Sequence, residues 1–231
     1  MKNTAIKSME DVYYYIQDSQ IHRVTIYDDP YPENPLTVNT HAGHVMIFHN
    51  RYALGDNKGC GNLDDMLDGL MDKYLPDTDY EDMLESDKAR ALRKAGFAML
   101  PIDIMDHSLI GCYCSDIIDD SYHAGYAYMT PEEMAAEQFT VENANSYLKS
   151  VIKEYSLYLE GSVYGYTDEA FDGNGWIEQD TLWEFISDKQ GDDLLVEMGF
   201  SRDSIVSEAE ALKCIEAFVY AMRTKQCACY I

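Results

Sequence analysis

Basic residues are scarce in this chain. Seventeen lysines and arginines stand against forty-two acids, a formal net charge of −25. A nucleic-acid-binding surface needs a basic footprint, so direct contact with DNA or RNA is not expected, nor is contact with an anionic membrane. Long hydrophobic runs are missing too. No apolar stretch reaches the roughly eighteen residues that a membrane-spanning helix requires. The opening "MKNTAIKSMEDVYYY" has no apolar signal core, which points to a cytoplasmic protein. In that compartment the six cysteines read as thiols, not as a disulfide framework. Internal repeats and low-complexity linkers are absent. So are the His-Glu-x-x-His, Gly-x-Ser-x-Gly, phosphate-loop and Rossmann glycine patterns.

What is present is globular. The 231 residues are 46% apolar and 12% aromatic, enough to bury a sizeable core. A helix is expected over "SMEDVYYYIQDS", then a strand over "HRVTIYDD" that the prolines of "PYPENP" end. "HVMIFHNRY" reads as a buried strand. Asn62 caps a helix in which Leu63, Met66, Leu67, Leu70 and Tyr74 share one face. A second helix is expected from Tyr80 to a glycine stop at Gly96. "AMLPIDIMDHS", "LIGCYCS" and "HAGYAYMT" read as strands. Thr130, Pro131 and Glu133 form a capping box. A long helix follows at about 141–160, with Ala144, Leu148, Val151, Ile152, Tyr155 and Leu159 as its buried stripe. Further helices are expected near "DDLLVEMGF" and from Ser207 to Thr224. Strands and helices mix without a βαβ alternation. The expected fold is therefore α+β, a largely antiparallel sheet with several packed helices. A single domain over 1–231 is expected, with 187–231 as a candidate C-terminal helical subdomain.

"FDGNGWIEQDTLWEF" borrows the residues of an EF-hand calcium loop. With Gly175 at the sixth loop position, Asp172, Asn174 and Glu178 fall at ligand positions. The first and last ligand positions, however, hold Ala170 and Thr181. The flanking runs "SVYGYTDEAF" and "WIEQDTLWEFI" are strand-like, so the segment reads as a β-hairpin around an Asp/Gly/Asn/Gly turn.

Two acidic regions stand out. Gly61 to Asp87 holds ten acids and one base, Lys73; Glu160 to Glu210 holds fourteen acids and two bases. Asp64, Asp68 and Asp72 recur every helical turn, which puts their carboxylates about 5–6 Å apart. Such a row imitates a row of phosphates, and it is equally a solvated helix face. Cys112 and Cys114, with Cys227 and Cys229, form two Cys-x-Cys pairs. Pairs on strands would share a face and could make a four-thiolate zinc site, or simply pack as small apolar groups. His41, His44 and His49 cluster, downstream of Asp28 and Asp29. Asp103, Asp106 and His107 could form an acid–base or metal site, or a structural Asp–His pair. Nineteen tyrosines supply core, and also large contact area at small entropic cost where exposed.

"HNRYALGD", "LPIDIMDHS", "AGYAYMT" and "YLEGSVYGY", followed by the hairpin ending "LWEF", occur in this order. Together they resemble a family of acidic proteins carried by phages and other mobile elements of Firmicutes-type bacteria. The resemblance covers roughly His44 to Ile186. The segment between Cys114 and His123 and the C-terminal region match it poorly. It implies a genomic context rich in inhibitors of host defence, and it assigns no catalytic residues. The leading expectation is a non-enzymatic, cofactor-free inhibitor of a CRISPR effector or restriction enzyme in the cytoplasm of a bacterial host. It would act as an acidic mimic of nucleic acid. Asp64, Asp65, Asp68, Asp72, Glu81, Asp82 and Glu85 are the expected contacts, with Asp172 at a second one. The alternatives are a metal-dependent or acid–base enzyme using Asp103, Asp106 and His107, and a small-molecule or signalling-nucleotide binding protein.

Overall fold

The computed structural model describes residues 10–38, 41–56, 61–107 and 109–228. They divide into two compact units. Residues up to Pro32 and from Gly161 onward make one unit, and Glu33–Glu160 make the other.

The split unit is built on five strands: β1 (Glu10–Gln17), β2 (Gln20–Asp28), β7 (Val163–Phe171), β8 (Trp176–Ile186) and β9 (Ile205–Val206). Their order is β8-β7-β2-β1-β9, and every pairing is antiparallel. The helix expected at the start of the chain is strand β1. Val12, Tyr13, Tyr14, Tyr15 and Ile16 are β-branched and aromatic, and these residues gain more on a pleated surface than in a helix. Asp18 and Ser19 take left-handed φ values of 51° and 64° and close a two-residue hairpin from Gln17 to Gln20. Tyr15, Val24, Ile26 and Tyr166 on one sheet face pack against Leu194 and Leu195 of α6 (Asp192–Glu197). On the other face Phe171 meets Phe218 of α7 (Glu208–Ala228) edge-on, at 6.2 Å between centroids. Ser207 starts α7 by accepting the Glu210 amide while the Glu210 carboxylate accepts the Ser207 amide.

The continuous unit holds a four-stranded antiparallel sheet in the order β3-β6-β4-β5. Its strands are β3 (His44–Ile47), β4 (Ala98–Asp106), β5 (Ile110–Cys114) and β6 (Gly125–Met129). Helix α5 (Val141–Leu159) covers one face, placing Leu148, Ile152 and Tyr155 against Val45, Leu100 and Ala127. Helices α2 (Leu63–Tyr74) and α3 (Glu85–Lys94) cover the other, placing Leu67, Met71 and Leu92 against Met46, Met99 and Tyr126. Covered on both faces, β6 is buried at every position, so its sequence lacks polar alternation. Two short helices complete the unit, α1 (Pro35–Val38) and α4 (Pro131–Ala136). The capping box on Thr130 and Glu133 forms as expected. Helix α3 is shorter than expected, because Tyr80–Leu84 turn instead of winding. Strand β3 stops at Ile47, and the residues after it become loop.

Candidate acidic surface and adjoining cleft

The acidic helix is α2. Asn62 caps it by accepting the Asp65 amide at 2.8 Å. Asp64 and Asp68 both point at Lys88 of α3, whose ammonium lies 2.6 Å and 2.5 Å from their carboxylates. Lys88 is 3% exposed, so a single buried cation neutralises part of the row. Asp72 accepts a hydrogen bond from the Tyr80 hydroxyl. The carboxylates spaced one turn apart thus face the neighbouring helix and turn. Asp64 and Asp72 remain exposed to solvent while making these bonds, and Asp65, Glu81 and Asp82 are exposed too. Lys88 was missed from sequence because it sits in the helix that follows. The signal was a helix-face lysine among apolar positions, facing a row of three acids.

Burial opposes the charge on Lys88, but the hydrogen bonds that it donates to Asp64 and Asp68 outweigh it and raise its pKa above 10.5. A group whose pKa is raised by folding stabilises the fold fully below its unfolded pKa. It loses that contribution as pH rises through the folded value. Lys88→Met keeps the packing and removes the charge. Because Asp64 and Asp68 are partly exposed, the expected loss is about 1–2 kcal/mol at neutral pH. It should shrink above the lysine pKa, where the wild type has lost the same charge. Denaturant midpoints at neutral and strongly alkaline pH check this, and an equal loss at both would refute the ion-pair account.

Beside the α2 N-terminus lies an open cleft of about 840 Å³. The loop after β3 forms one wall with Phe48, His49 and Tyr52; Asp64, Asp65 and Glu85 form another, and Tyr122 closes an end. A second lobe of about 390 Å³ shares Phe48, His49 and Tyr122 and adds Asp103, Asp106 and Tyr113. Glu85 is held above the usual carboxylate range, first by burial and then by the charge of Asp64. Arg51 donates to Asp106 at 2.5 Å, and its guanidinium carbon lies 5.8 Å from the Tyr52 ring centroid.

Asp103, Asp106 and His107 do not assemble. Asp103 lies 3.0 Å from Nδ1 of His123, and Asp106 is taken by Arg51. His107 is exposed and lines neither lobe. His123 is 4% exposed, and its Nε2 lies 3.4 Å from Asp119. The partner of Asp103 came from a loop across the sheet, which spacing along β4 does not reveal.

Asp172 sits at the tip of the hairpin. Its carboxylate accepts the amides of Asn174 and Gly175 at 2.7 and 2.8 Å, and these donors lower its pKa. The oxygens that a calcium loop would turn on the ion thus fasten the turn. Burial pushes the Cys112 thiol up to about 12, and it also raises Cys114. Both are protonated packing groups at neutral pH. Cys227 lies on a helix, not a strand; its side chain and Cys229 are outside the described residues. Among the described residues no group of three or more histidine, cysteine or carboxylate side chains could hold a metal ion. None of the described helices is long and apolar enough to cross a membrane.

The edge strand β8 is exposed over most of its length and carries Glu178, Asp180 and Glu184. Its register against β7 shifts twice, and Glu184 takes a φ of 63°. Bulges and charges of this kind blunt an open sheet edge. One shift lays the Trp183 ring over Gly165, where a Cβ would collide with it, and stacks it on Tyr27 at 5.9 Å.

Much of the scarce positive charge is already paired within the chain. Arg23 holds Glu169, Arg90 holds Asp87 and Asp120, Lys149 holds Asp116, Lys189 holds Asp188 and Arg202 holds Asp193. With Arg51 and Lys88 occupied as well, the charge left over for a partner is overwhelmingly negative. Comparison with protein-family models, with curated proteins and with solved structures finds no match for this chain.

Proposed function

We propose that this chain is a non-enzymatic binding protein. Its carboxylates stand in for phosphates in the basic channel of a nucleic-acid-binding protein of bacterial defence, a CRISPR effector or a restriction enzyme. The observation that carries the reading is the internal pairing of the basic side chains, which leaves Asp65, Glu81 and Asp82 on the surface beside an excess of acid. Duplex DNA presents one charge per about 1.7 Å of axis, and carboxylates one helical turn apart approach the spacing of phosphates along one strand. Asp64, Asp68 and Asp72 set the fold of the acidic helix pair and contribute to the field; Asp65, Glu81 and Asp82 make the contact.

The test is capture of partners from a bacterial host lysate on immobilised protein, followed by elution with duplex DNA and, separately, with salt. A basic nucleic-acid-binding protein should be retained and released by both, because exposed charge contacts are screened by salt. The triple variant Asp65→Lys, Glu81→Lys, Asp82→Lys should lose that protein while keeping its circular dichroism spectrum. Retention of the same proteins by the folded triple variant would refute the proposal. Reversing Asp64 or Asp68 is a poor test, since a new lysine would face Lys88.

A further inference from the structure

The geometry points to the cleft between the loop after β3 and the start of α2 as a seat for an arginine side chain of the partner protein. This inference rests on the proposal of a basic partner and adds where one of its cations docks. Three features carry it together.

First, the space is concave and about 840 Å³, ample for an extended guanidinium side chain and the backbone beside it. Second, its lining pairs aromatic side chains with carboxylates: Phe48 and Tyr122 with Asp64, Asp65 and Glu85, while Tyr52 is already stacked on His49 at 5.1 Å. A planar cation gains from both at once, stacking on a ring while its N–H groups reach carboxylate oxygens. Third, the cleft already holds one guanidinium of its own. Arg51 lies against the Tyr52 ring and donates to Asp106. That arrangement satisfies Asp106 but makes no bond to Asp65 or Glu85. Lys88 pairs with Asp64 and Asp68, and its charge also acts on Glu85 without an ion pair between them among the described contacts.

The raised pKa of Glu85 agrees with this arrangement. Burial and the neighbouring Asp64 charge act against its ionisation and outweigh Lys88 and His123, which act for it; an arriving cation would add to the latter pair. Binding would therefore lower the Glu85 pKa and release protons wherever the free carboxyl is partly protonated. Lysine would serve less well, because a point charge cannot stack and pair in the same plane.

The experiment is calorimetric titration of the full chain with a short arginine-containing peptide and with its lysine counterpart, at two salt concentrations. The arginine peptide should bind saturably and more tightly than the lysine peptide. Glu85→Gln and Tyr122→Ala should each weaken it by about tenfold. Glu178→Gln on β8, of equal charge change, should leave it unaltered. Equal weakening by Glu178→Gln and Glu85→Gln would show attraction by net charge alone and overturn the inference. So would equal affinity for the two peptides, or no saturable binding. Because Glu85→Gln could perturb the α2–α3 packing, Asp65→Asn serves as a second cleft variant on an exposed side chain, with the same expected direction. If partner capture succeeds and the peptides fail, the cleft is wrong and the acidic-surface proposal stands. If the peptides bind and capture fails, the partner class is wrong and the cleft stands.

Discussion

Asp168→Ala lowers the stability of the five-stranded unit by about 1–3 kcal/mol, the cost of removing a buried acceptor that two side chains share. Asp168 is 6% exposed at the centre of the sheet. The Tyr15 hydroxyl donates to its Oδ2 at 2.8 Å, and Nδ1 of His22 lies 3.2 Å from its Oδ1. The Tyr15 and His22 rings stack at 4.5 Å, so the two groups are fixed against each other and cannot turn to water. Burial and then the Asp168 carboxylate hold Tyr15 above the usual phenol range, so it remains a donor at any working pH. Truncation removes the shared acceptor and leaves a void, with the Tyr15 hydroxyl and His22 Nδ1, 2.8 Å apart, able to pair only with each other in a medium where further unmade bonds are costly. Asp168→Asn keeps one acceptor oxygen and should lose about half as much. Both tryptophans, Trp176 and Trp183, lie on β8. Tryptophan emission against denaturant therefore reads this unit, and the midpoint should fall in the order wild type, Asn, Ala. Coincident midpoints would show that water enters and replaces the carboxylate.

Gly125→Ala should have the larger effect, at least about 3 kcal/mol, on the four-stranded unit. Gly125 stands opposite Ile47 in the β3–β6 pairing. A Cβ there would overlap the Met46 carbonyl oxygen and lie 2.8 Å from its carbon and 2.9 Å from the Ile47 Cα. These are backbone atoms, so no rotamer change relieves the clash. The strands must part, and Phe48 then loses its 2.8 Å amide bond to the Ala124 carbonyl. Phe48 and Ala124 line the cleft, so the variant should also impair binding there. Amide hydrogen exchange checks it. Protection at Val45–Phe48 and Ala124–Ala127 should drop by orders of magnitude relative to α5. Unchanged protection would mean that the sheet opens enough to admit the methyl group without losing its register.

Legibility from sequence followed the reach of the forces involved. The β7–β8 hairpin was readable because turn chemistry is local: Asp172, Gly173, Asn174 and Gly175 dictate the reversal regardless of the rest. The caps at Asn62 and Thr130 were readable for the same reason. Strand β1 was misread as a helix because its acidic start and tyrosine run fit a helical face. Only the distant partners β2 and β9 decide for the sheet. Pairings within the site were out of reach for the same reason. Composition located the acids on α2, but whether Asp64 and Asp68 face solvent depends on where Lys88 comes to lie. The Asp103–His107 pairing looked natural along the strand, and the structure gives Asp103 to His123 instead. The cleft could not be foreseen, since its walls come from four separated segments.

The split unit has a consequence for the order of events during synthesis. Strand β2 ends at Asp28, and its antiparallel partner β7 begins at Val163; the Asp29 amide donates to the Val163 carbonyl at 2.8 Å. The two crossings of the chain therefore lie side by side, with Glu33–Glu160 as a guest inserted in a host. Until the guest has left the ribosome, the host owns only the β1–β2 hairpin, with no strand to cover its edge. Closing a flexible loop of that length costs entropy, and a folded guest brings β2 and β7 together in advance. A lesion confined to the guest, such as Gly125→Ala, is therefore expected to slow the pairing of β2 with β7 as well.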